Sequence, residues 1–368
     1  MVSLLASDFA SVMTTIGYIV LAIVVLLVMI TIHEFGHYSF GKWLGFKINE
    51  FSIGFGKAIY SKTRKNGEKF SVRLIPLGGY CAFAGEDEDD PDPNAFNNKP
   101  PWKRIIVLFA GVLFNFLSAI IFAFILLVGF GYDIPKVTDA TANQTYVENY
   151  NIDKEESAQL SPLEDGDVIR EVDGVGISFV SGNTFSVLMS EYQIGDIFTL
   201  TVQRVGESEW VDIKMTKFVN PDDATATTGI LGVQTGAYQY SFWEALLDCV
   251  PLAFAMAWKV LVFLFMLLTG GVAISEIGGP LTTIGVIAEY SQANIANLFV
   301  LLPFIAANLA VFNLLPFPAL DGARIVFTTF EWIRGKPINR KVEGYIHFAG
   351  LIILFAFVIF IDLFNIIT

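Results

Sequence analysis

Charged residues are scarce in this chain. Asp, Glu, Lys and Arg make up 16% of its 368 residues, whereas 54% are hydrophobic. Soluble domains typically carry about 25% charged residues, so the composition excludes an ordinary soluble protein and indicates an integral membrane protein. Residues 1–15 contain no Lys or Arg. The basic region that opens a cleavable signal peptide is therefore missing, and we expect the first apolar helix to stay in the mature protein.

Cysteine and histidine are scarcer still. The topology derived below places the two cysteines, Cys81 and Cys249, on opposite sides of the membrane, so we expect free thiols and no disulfide. Of the three histidines, two stand four positions apart in TIHEFGHYSF, residues 31–40, directly after an uncharged run. Ionisable groups at the end of a membrane helix are costly and usually functional.

Long apolar runs are abundant. A membrane-spanning helix needs about 20 apolar residues, and three stretches meet this need: 16–37, 105–130 and 346–367. A fourth stretch, 295–315, is apolar but contains Pro303 and three asparagines. A fifth, 251–268, carries Lys259 at its centre, which costs about 2.5–3.5 kcal/mol on insertion scales. We predict that this fifth stretch lies in the membrane interface or against the helix bundle.

The distribution of basic residues predicts the orientation. Residues 41–104 carry eleven Lys and Arg, and the short segment 334–341 carries four. The longer segment 131–243 carries six against 18 acidic residues. Because positively charged loops stay in the cytosol, we predict four spans with the N-terminus and residues 131–243 outside. A fifth full span would place 131–243 and 334–341 on the same side, which the charge pattern disfavours.

The outer segment reads as a small β-rich domain. Strands are predicted at 168–172, 198–204 and 210–217, with a helix at 184–192, because β-rich runs alternate there with turn residues. The stretch SPLEDGDVIREVDG, residues 161–174, resembles part of a PDZ domain. An unrelated small β domain is the alternative.

Residues 33–37, HEFGH, match the H-E-x-x-H pattern. Positions four apart lie on one face of a helix, so His33 and His37 can bind one metal ion, with Glu34 beside it as a candidate general base. A catalytic zinc ion takes three protein ligands and keeps one position open. A chance match with two packed histidines is the alternative.

Several residues are candidates for the third metal ligand. The candidates are the remaining histidine and four carboxylates in or beside apolar segments: His347, Glu276, Asp321, Glu331 and Asp362. Asp321 is favoured because NLLPFPALDGA, residues 313–323, ends a span on the predicted side of His33 and His37, and its prolines prevent regular helix. Irregular backbone at membrane depth is tolerated only inside protein or at a wet cavity.

These motifs together resemble the site-2 protease family of intramembrane zinc metalloproteases, most closely its bacterial RseP type. The resemblance rests on HEFGH, NLLPFPALDG, the PDZ-like segment and further stretches such as LIPLGGY and AGVLFNF. It implies that Zn²⁺ is bound by His33, His37 and Asp321, and that Glu34 activates water. It also implies that substrate is held by residues near the aspartate motif: Asn308, Asn313 and Pro318. The Gly-His expected after LDG is replaced here by Ala323-Arg324.

The inner loop reads as a hairpin. Residues 51–60 and 70–80 flank Asn66-Gly67, a strong signal for a type I′ turn. With Gly54 and Gly56 near its start, we expect the hairpin to dip into the membrane and to offer a free edge to an extended substrate. A plain surface hairpin is the alternative.

The expected fold is an α-helical polytopic membrane protein with about four transmembrane helices, a membrane-associated β-hairpin and an inserted PDZ-like domain. The expected segments are a first transmembrane helix (1–40), a cytosolic hairpin with an acidic linker (41–103), a second transmembrane helix (104–131), an extracytoplasmic PDZ-like domain (132–240), an interfacial helix and linker (241–293), and the third and fourth transmembrane helices (294–368).

The expected function is hydrolysis of peptide bonds within transmembrane segments of trimmed, single-span membrane proteins, such as anti-sigma factors or remnant signal peptides. We expect a bacterial plasma membrane location, contact with lipid, no nucleic acid, and an active site toward the cytosol. One rival is a membrane-anchored zinc peptidase of soluble proteins with Glu276 or Glu331 as its third ligand. Another is a zinc-binding membrane protein without enzymatic activity.

Overall fold

The computed structural model describes residues 2–86, 90–132, 134–140, 163–179, 181–193, 196–205, 210–217, 234–273 and 276–367. Parts of the predicted acidic linker (87–89) and of the predicted PDZ-like domain (141–162 and 218–233) lie outside the described residues.

The described part of the chain is mostly helical, with two separate β-sheet regions. The helices are α1 (Val2–Trp43), α2 (Pro101–Gly129), α3 (Phe185–Ser190), α4 (Phe242–Thr269), α5 (Pro280–Ala293), α6 (Ile295–Leu314), α7 (Asp321–Arg334) and α8 (Arg340–Ile367). The strands are β1 (Ile48–Thr63), β2 (Lys69–Phe83), β3 (Pro135–Asp139), β4 (Val168–Val172), β5 (Val175–Gly176), β6 (Ile197–Gln203), β7 (Trp210–Thr216) and β8 (Gln234–Ala237). Two compact units result, one from residues 1–122 and 256–368, the other from residues 123–255.

Within the described residues, five helices are long and apolar enough to cross a membrane: α1 from Ser11 onward, α2, α4, α6 and α8. The stretch 251–268, predicted to lie in the interface or against the helix bundle, belongs to one of these five helices, and its placement stays a prediction. The helix there begins at Phe242 and runs for 28 residues with Pro251 in its interior, so it has the length of a span. The protein is a multi-pass membrane protein, and the number of full crossings stays a prediction.

In the first unit, β1 and β2 form the predicted hairpin, but both arms bend. Residues 48–53 pair with residues 79–83 on one side, and residues 50–53 pair with residues 69–72 on the other. Residues 58–63 pair with residues 69–73. Gly54 and Gly56 lie at the bend with φ of +85° and +81°, a region that favours glycine. The bent hairpin is therefore a small sheet with residues 79–83 along one edge.

The turn of this hairpin differs from the predicted type I′. Gly67 N–H donates to the Arg64 carbonyl at 3.0 Å, and Arg64 N–H donates to the Glu68 carbonyl at 2.8 Å. Gly67 has φ of +86°, and Asn66 is not among the described residues with positive φ. Type I′ needs positive φ at both central residues. The turn is instead a type I turn followed by a glycine bulge, which uses Gly67 alone as the left-handed residue.

The second unit contains one antiparallel sheet in the order β7-β6-β4-β3-β8, with β5 on β4. β4, β6, β7 and α3 lie where strands and a helix were predicted. Thr184 caps α3 by accepting a hydrogen bond from Val187 N–H. The inward side chains form a core that includes Val137, Ile169 and Leu200, each fully buried. The PDZ-like assignment of this unit stays a prediction.

Candidate metal centre and active site

Two glycines let α1 and α2 approach closely at the HEFGH motif. A Cβ on Gly36 would lie 2.4 Å from the Ala110 carbonyl oxygen, and a Cβ on Gly111 would lie 2.4 Å from His37 Nε2 and 2.7 Å from His33 Cε1. Because real Cβ atoms do not tolerate such distances, only glycine fits at either position. The α2 backbone thereby forms one wall around the two histidines.

His33, His37 and Asp321 converge on one point. Asp321 Oδ2 lies 2.9 Å from His33 Nε2 and 3.2 Å from His37 Nε2, and the two Nε2 atoms are 3.1 Å apart. Both histidines are buried. Of the described residues, this is the group of three whose ligand atoms are close enough to hold a metal ion. The structure therefore places Asp321, rather than a more distant carboxylate, beside the histidines.

The hydrogen bonds behind the cluster show why a cation fits it. His37 Nδ1 lies 2.8 Å from the Val107 carbonyl, which can only accept, so Nδ1 carries the proton and Nε2 presents a lone pair. That lone pair faces Asp321 Oδ2, a carboxylate oxygen with no hydrogen-bond donor among the described residues. An imidazole nitrogen and a carboxylate oxygen that face each other with lone pairs repel each other without a cation, and two histidines with a carboxylate are a donor set that catalytic zinc sites use.

The loop before α7 brings Asp321 to this point. Asp321 is the first residue of α7, after a non-helical segment that contains Pro316 and Pro318. A Cβ on Gly322 would lie 2.2 Å from the Leu314 carbonyl oxygen. The glycine of the LDG sequence is thus required because the start of α7 packs directly on the last carbonyls of α6.

Glu34 faces a cavity beside the cluster. The cavity has a volume of about 460 Å³ and is lined by Glu34, His37, Asp321 and the β2 edge from Tyr80 to Phe83. Glu34 interacts with the backbone N–H of Cys81. Glu34 directly follows His33 in the chain and lines a cavity that the edge of β2 also lines. Its carboxylate can therefore act on a peptide bond that lies in this cavity.

The other residues predicted to bind substrate have structural roles, or lie away from this cavity. Asn308 and Asn313 are half-buried on α6 and are not among the described residues that line the cavity. Asn313 Nδ2 donates to the Leu309 carbonyl of its own helix at 2.9 Å. Gly54 and Gly56 form the bend of the hairpin. Pro318 packs against the backbone of α8 at Gly350.

The rival ligands have other partners or positions. Glu331 is held between Arg104 and Arg340, at 2.6 Å and 2.8 Å. Glu276 is exposed. The third histidine, His347, accepts a hydrogen bond at Nδ1 from Ala319 N–H.

Asp362 lies on α8 and caps the start of α5. Its carboxylate accepts from the N–H groups of Leu281 and Thr282, each at 3.1 Å. Arg324, which stands where the resemblance leads us to expect histidine, forms an ion pair with Glu86 at the cavity wall. This departure from the family pattern leaves the cluster of His33, His37 and Asp321 in place.

The α2 residues that contact the two histidines were not predicted from the sequence. Val107, Gly111 and Asn115 all lie on α2, and Asn115 is fully buried with its amide 3.1 Å from His33 Nδ1. The small residues and the asparagine of AGVLFNF, residues 110–116, were the available signal, because a polar side chain inside an apolar span usually has a function. Which histidine it serves depends on how the helices pack.

Comparison with known proteins agrees with this chemistry. A family profile described as Peptidase family M50 matches residues 21–357. A zinc metalloprotease homologue of Fusobacterium nucleatum is 31% identical over 355 residues, covering 93% of this chain and 96% of the relative. A homologue with the same description from Bartonella henselae is 28% identical, covering 92% and 98%. The zinc metalloprotease RasP of Oceanobacillus iheyensis is 27% identical, covering 89% and 93%.

Proposed function

Since the chain belongs to peptidase family M50, the site-2 protease family, and is a membrane zinc metalloprotease, we propose that it cuts peptide bonds within transmembrane segments of other proteins. The observation that carries this is the position of the site. His33, Glu34 and His37 lie on α1, an apolar helix of spanning length. Asp321 lies seven positions after the end of α6, another such helix.

In this proposal each residue of the site has one task. His33, His37 and Asp321 hold Zn²⁺, which when bound lowers the pKa of a coordinated water to about 7 and polarises the scissile carbonyl. Glu34 accepts a proton from the attacking water and returns it to the leaving amine.

The free edge of the bent hairpin supports a binding site for an extended substrate. Residues 79–83 pair with 48–53 on one side, and their other edge lines the cavity that holds Glu34 and Asp321. A helical segment hides its amide bonds and must unwind before hydrolysis. Strand addition at this edge would replace the hydrogen bonds that the substrate loses. Exposed apolar side chains of the hairpin, among them Ile59, Leu74 and Leu77, support contact with lipid.

The proposed topology has four full spans, with the metal centre toward the cytosol. The start of α5 is capped by Asp362, which lies 15 residues beyond His347, or about 22 Å along α8, while His347 touches the loop that carries Asp321. If α4 crossed to the level of the metal centre, residues 270–279 would have to return across about 30 Å of hydrocarbon. Ten residues reach about 36 Å only when fully extended, and turn hydrogen bonds at Gly271 and Glu276 shorten this segment.

The proposed substrates are single-span membrane proteins whose outer part another protease has already trimmed, such as membrane-bound anti-sigma factors or remnant signal peptides. We propose no nucleic acid as a partner. The proposed location is the bacterial plasma membrane.

The test is cleavage of a single-span substrate in vesicles by the full-length protein. Glu34→Gln should bind zinc but cleave about 10²–10⁴-fold more slowly, because only the general base is lost. Asp321→Ala should lose both zinc binding and cleavage activity, and a chelator should abolish cleavage by the wild type. Glu276→Gln is the matched control and should remain active. Full activity of Glu34→Gln, or zinc loss in Glu276→Ala but not in Asp321→Ala, would refute the assignment.

A further inference from the structure

The backbone just before Asp321 forms a strained turn. Leu320 N–H donates to the Phe317 carbonyl at 3.1 Å, which closes a four-residue turn with Pro318 and Ala319 at its centre. Ala319 has φ of +88°. With proline at the first central position, this is a type II turn, whose second central position favours glycine or asparagine. Alanine there is strained, so the turn needs support from outside its own four residues.

Helix α8 supplies that support at two places on one face. His347 Nδ1 accepts a hydrogen bond from Ala319 N–H at 3.0 Å. One turn further along α8, Gly350 lets its backbone touch Pro318, since a Cβ at Gly350 would lie 2.4 Å from Pro318 Cβ. Residues three apart on a helix share a face, so His347 and Gly350 hold both central residues of the turn.

We propose that His347 is a positioning residue for the metal centre. By accepting the N–H of the strained residue Ala319, it fixes the turn in the one conformation that places Asp321 at the head of α7, 2.9 Å from His33 Nε2. In this role Nδ1 of His347 carries no proton and the ring does not touch the metal. The sequence left His347 open as a ligand, and the structure gives it an indirect role.

The proposed role of His347 needs a hydrogen-bond acceptor rather than an imidazole ring. The variants are therefore chosen to keep or to remove that acceptor. The Oδ1 atom of asparagine occupies about the place of histidine Nδ1, so His347→Asn keeps the acceptor, whereas His347→Leu keeps bulk and removes it. Ala319→Gly relieves the positive φ. These changes touch neither the proposed ligands nor Glu34.

The experiment measures zinc affinity of the full-length protein by competition with a chelator, with cleavage as a second readout. His347→Leu should bind zinc about 10–100-fold more weakly, as when an outer hydrogen bond that orients a ligand is lost. His347→Asn should stay close to wild type. Adding Ala319→Gly to His347→Leu should restore much of the lost affinity, because the turn no longer needs to be held against strain.

The role of His347 rests on Asp321 as a ligand, proposed above, so Asp321→Ala serves as the reference. If Asp321→Ala binds zinc as tightly as wild type, the ligand assignment fails. If Asp321→Ala loses zinc while His347→Leu does not, only the role of His347 is refuted. It is also refuted if His347→Asn and His347→Leu are equally weak, or if Ala319→Gly restores nothing, since either result indicates general packing.

Discussion

His33 can bind a metal through Nε2 only while its Nδ1 carries the proton, and a buried Nδ1–H needs an acceptor. The group next to it is the Asn115 amide, whose Nδ2 lies 3.1 Å away while Oδ1 is buried without a hydrogen-bond partner among the described residues. The two amide atoms occupy almost the same volume, so rotating the amide by half a turn satisfies both groups. Asn115 then does for His33 what the Val107 carbonyl does for His37.

We therefore predict that Asn115→Leu weakens zinc binding by about 10–100-fold, because His33 loses its orienting acceptor. Asn115→Asp keeps an oxygen in place and should bind zinc at least as tightly as the wild type. Ser118→Ala, one turn along α2 with a bond to the Asn115 backbone carbonyl, is the control and should change little. Zinc affinity is measured by competition with a chelator. Equal affinities for Asn115→Leu and the wild type would contradict the role of Asn115 as the acceptor for His33.

The sequence predicts the ligands better than their supports. Helix geometry alone brings positions four apart together, so the sequence predicts His33 and His37, with Glu34 beside them. Asp321 is readable because two prolines interrupt an apolar segment on the predicted side. The roles that we propose for Asn115 and His347 act across helices, through contacts that depend on how α2 and α8 pack, and no spacing in the chain encodes those contacts.

At the scale of elements, local signals predicted that a hairpin forms but not its shape. Asn66-Gly67 marks the turn, yet the structure uses only Gly67 at positive φ, because a bulge can take up the extra residue in an irregular ladder. The sharp bend at Gly54 and Gly56 doubles the hairpin back into a sheet. This depends on pairings between distant parts of both arms, which alternation of apolar residues does not reveal.

The junction of α2, α7 and α8 depends on one buried carboxylate. Glu331 is buried, yet its pKa lies below the ordinary 4.5. Desolvation opposes ionisation there, but the Ile338 N–H and the ion pairs with Arg104 and Arg340 outweigh it. A lowered folded-state pKa stabilises the fold above the unfolded pKa, and this stability is lost as pH falls through the folded value.

We predict that Glu331→Gln lowers the thermal midpoint at pH 7, because removing one member of a buried ion pair costs about 3–5 kcal/mol. Wild type should lose stability on acidification below about pH 4.5, and Glu331→Gln should lose less over the same range. Thermal unfolding in detergent at several pH values measures both effects. Parallel pH curves for the two proteins would contradict the contribution of Glu331.

The position of α4 is testable by labelling. With four spans, the segment after α4 lies on the outer side, so Ala273→Cys, at an exposed position, should react with a membrane-impermeant maleimide in intact cells. Lys65→Cys in the hairpin turn should react only after permeabilisation. Both variants are made in a background without Cys81 and Cys249, which are free thiols. If Ala273→Cys reacts only from inside, α4 is a fifth span.

A protease surrounded by intact membrane helices must leave most of them uncleaved, so access to its site has to be restricted. The chain inserts a sheet-containing unit, residues 123–255, between α-helical segments that carry the metal centre. Two roles are open to it: exclusion of partners with bulky outer domains by size, or recognition of a trimmed C-terminal end in a PDZ-like groove. We propose exclusion, because residues 131–243 carry 18 acidic and six basic residues, and that charge disfavours capture of an anionic peptide end.

Replacing residues 136–238 with a short flexible linker separates these two roles. If the unit excludes by size, substrates with intact outer domains should begin to be cut, and trimmed substrates should be cut as before. If the unit binds trimmed ends, cleavage of trimmed substrates should fall, and intact substrates should stay uncut. Paired cleavage assays with one transmembrane sequence, with and without a folded outer domain, measure both. The same deletion with Glu34→Gln controls for other proteases, and unchanged selectivity and rate would contradict both roles, leaving entry to be controlled at the hairpin edge beside Glu34.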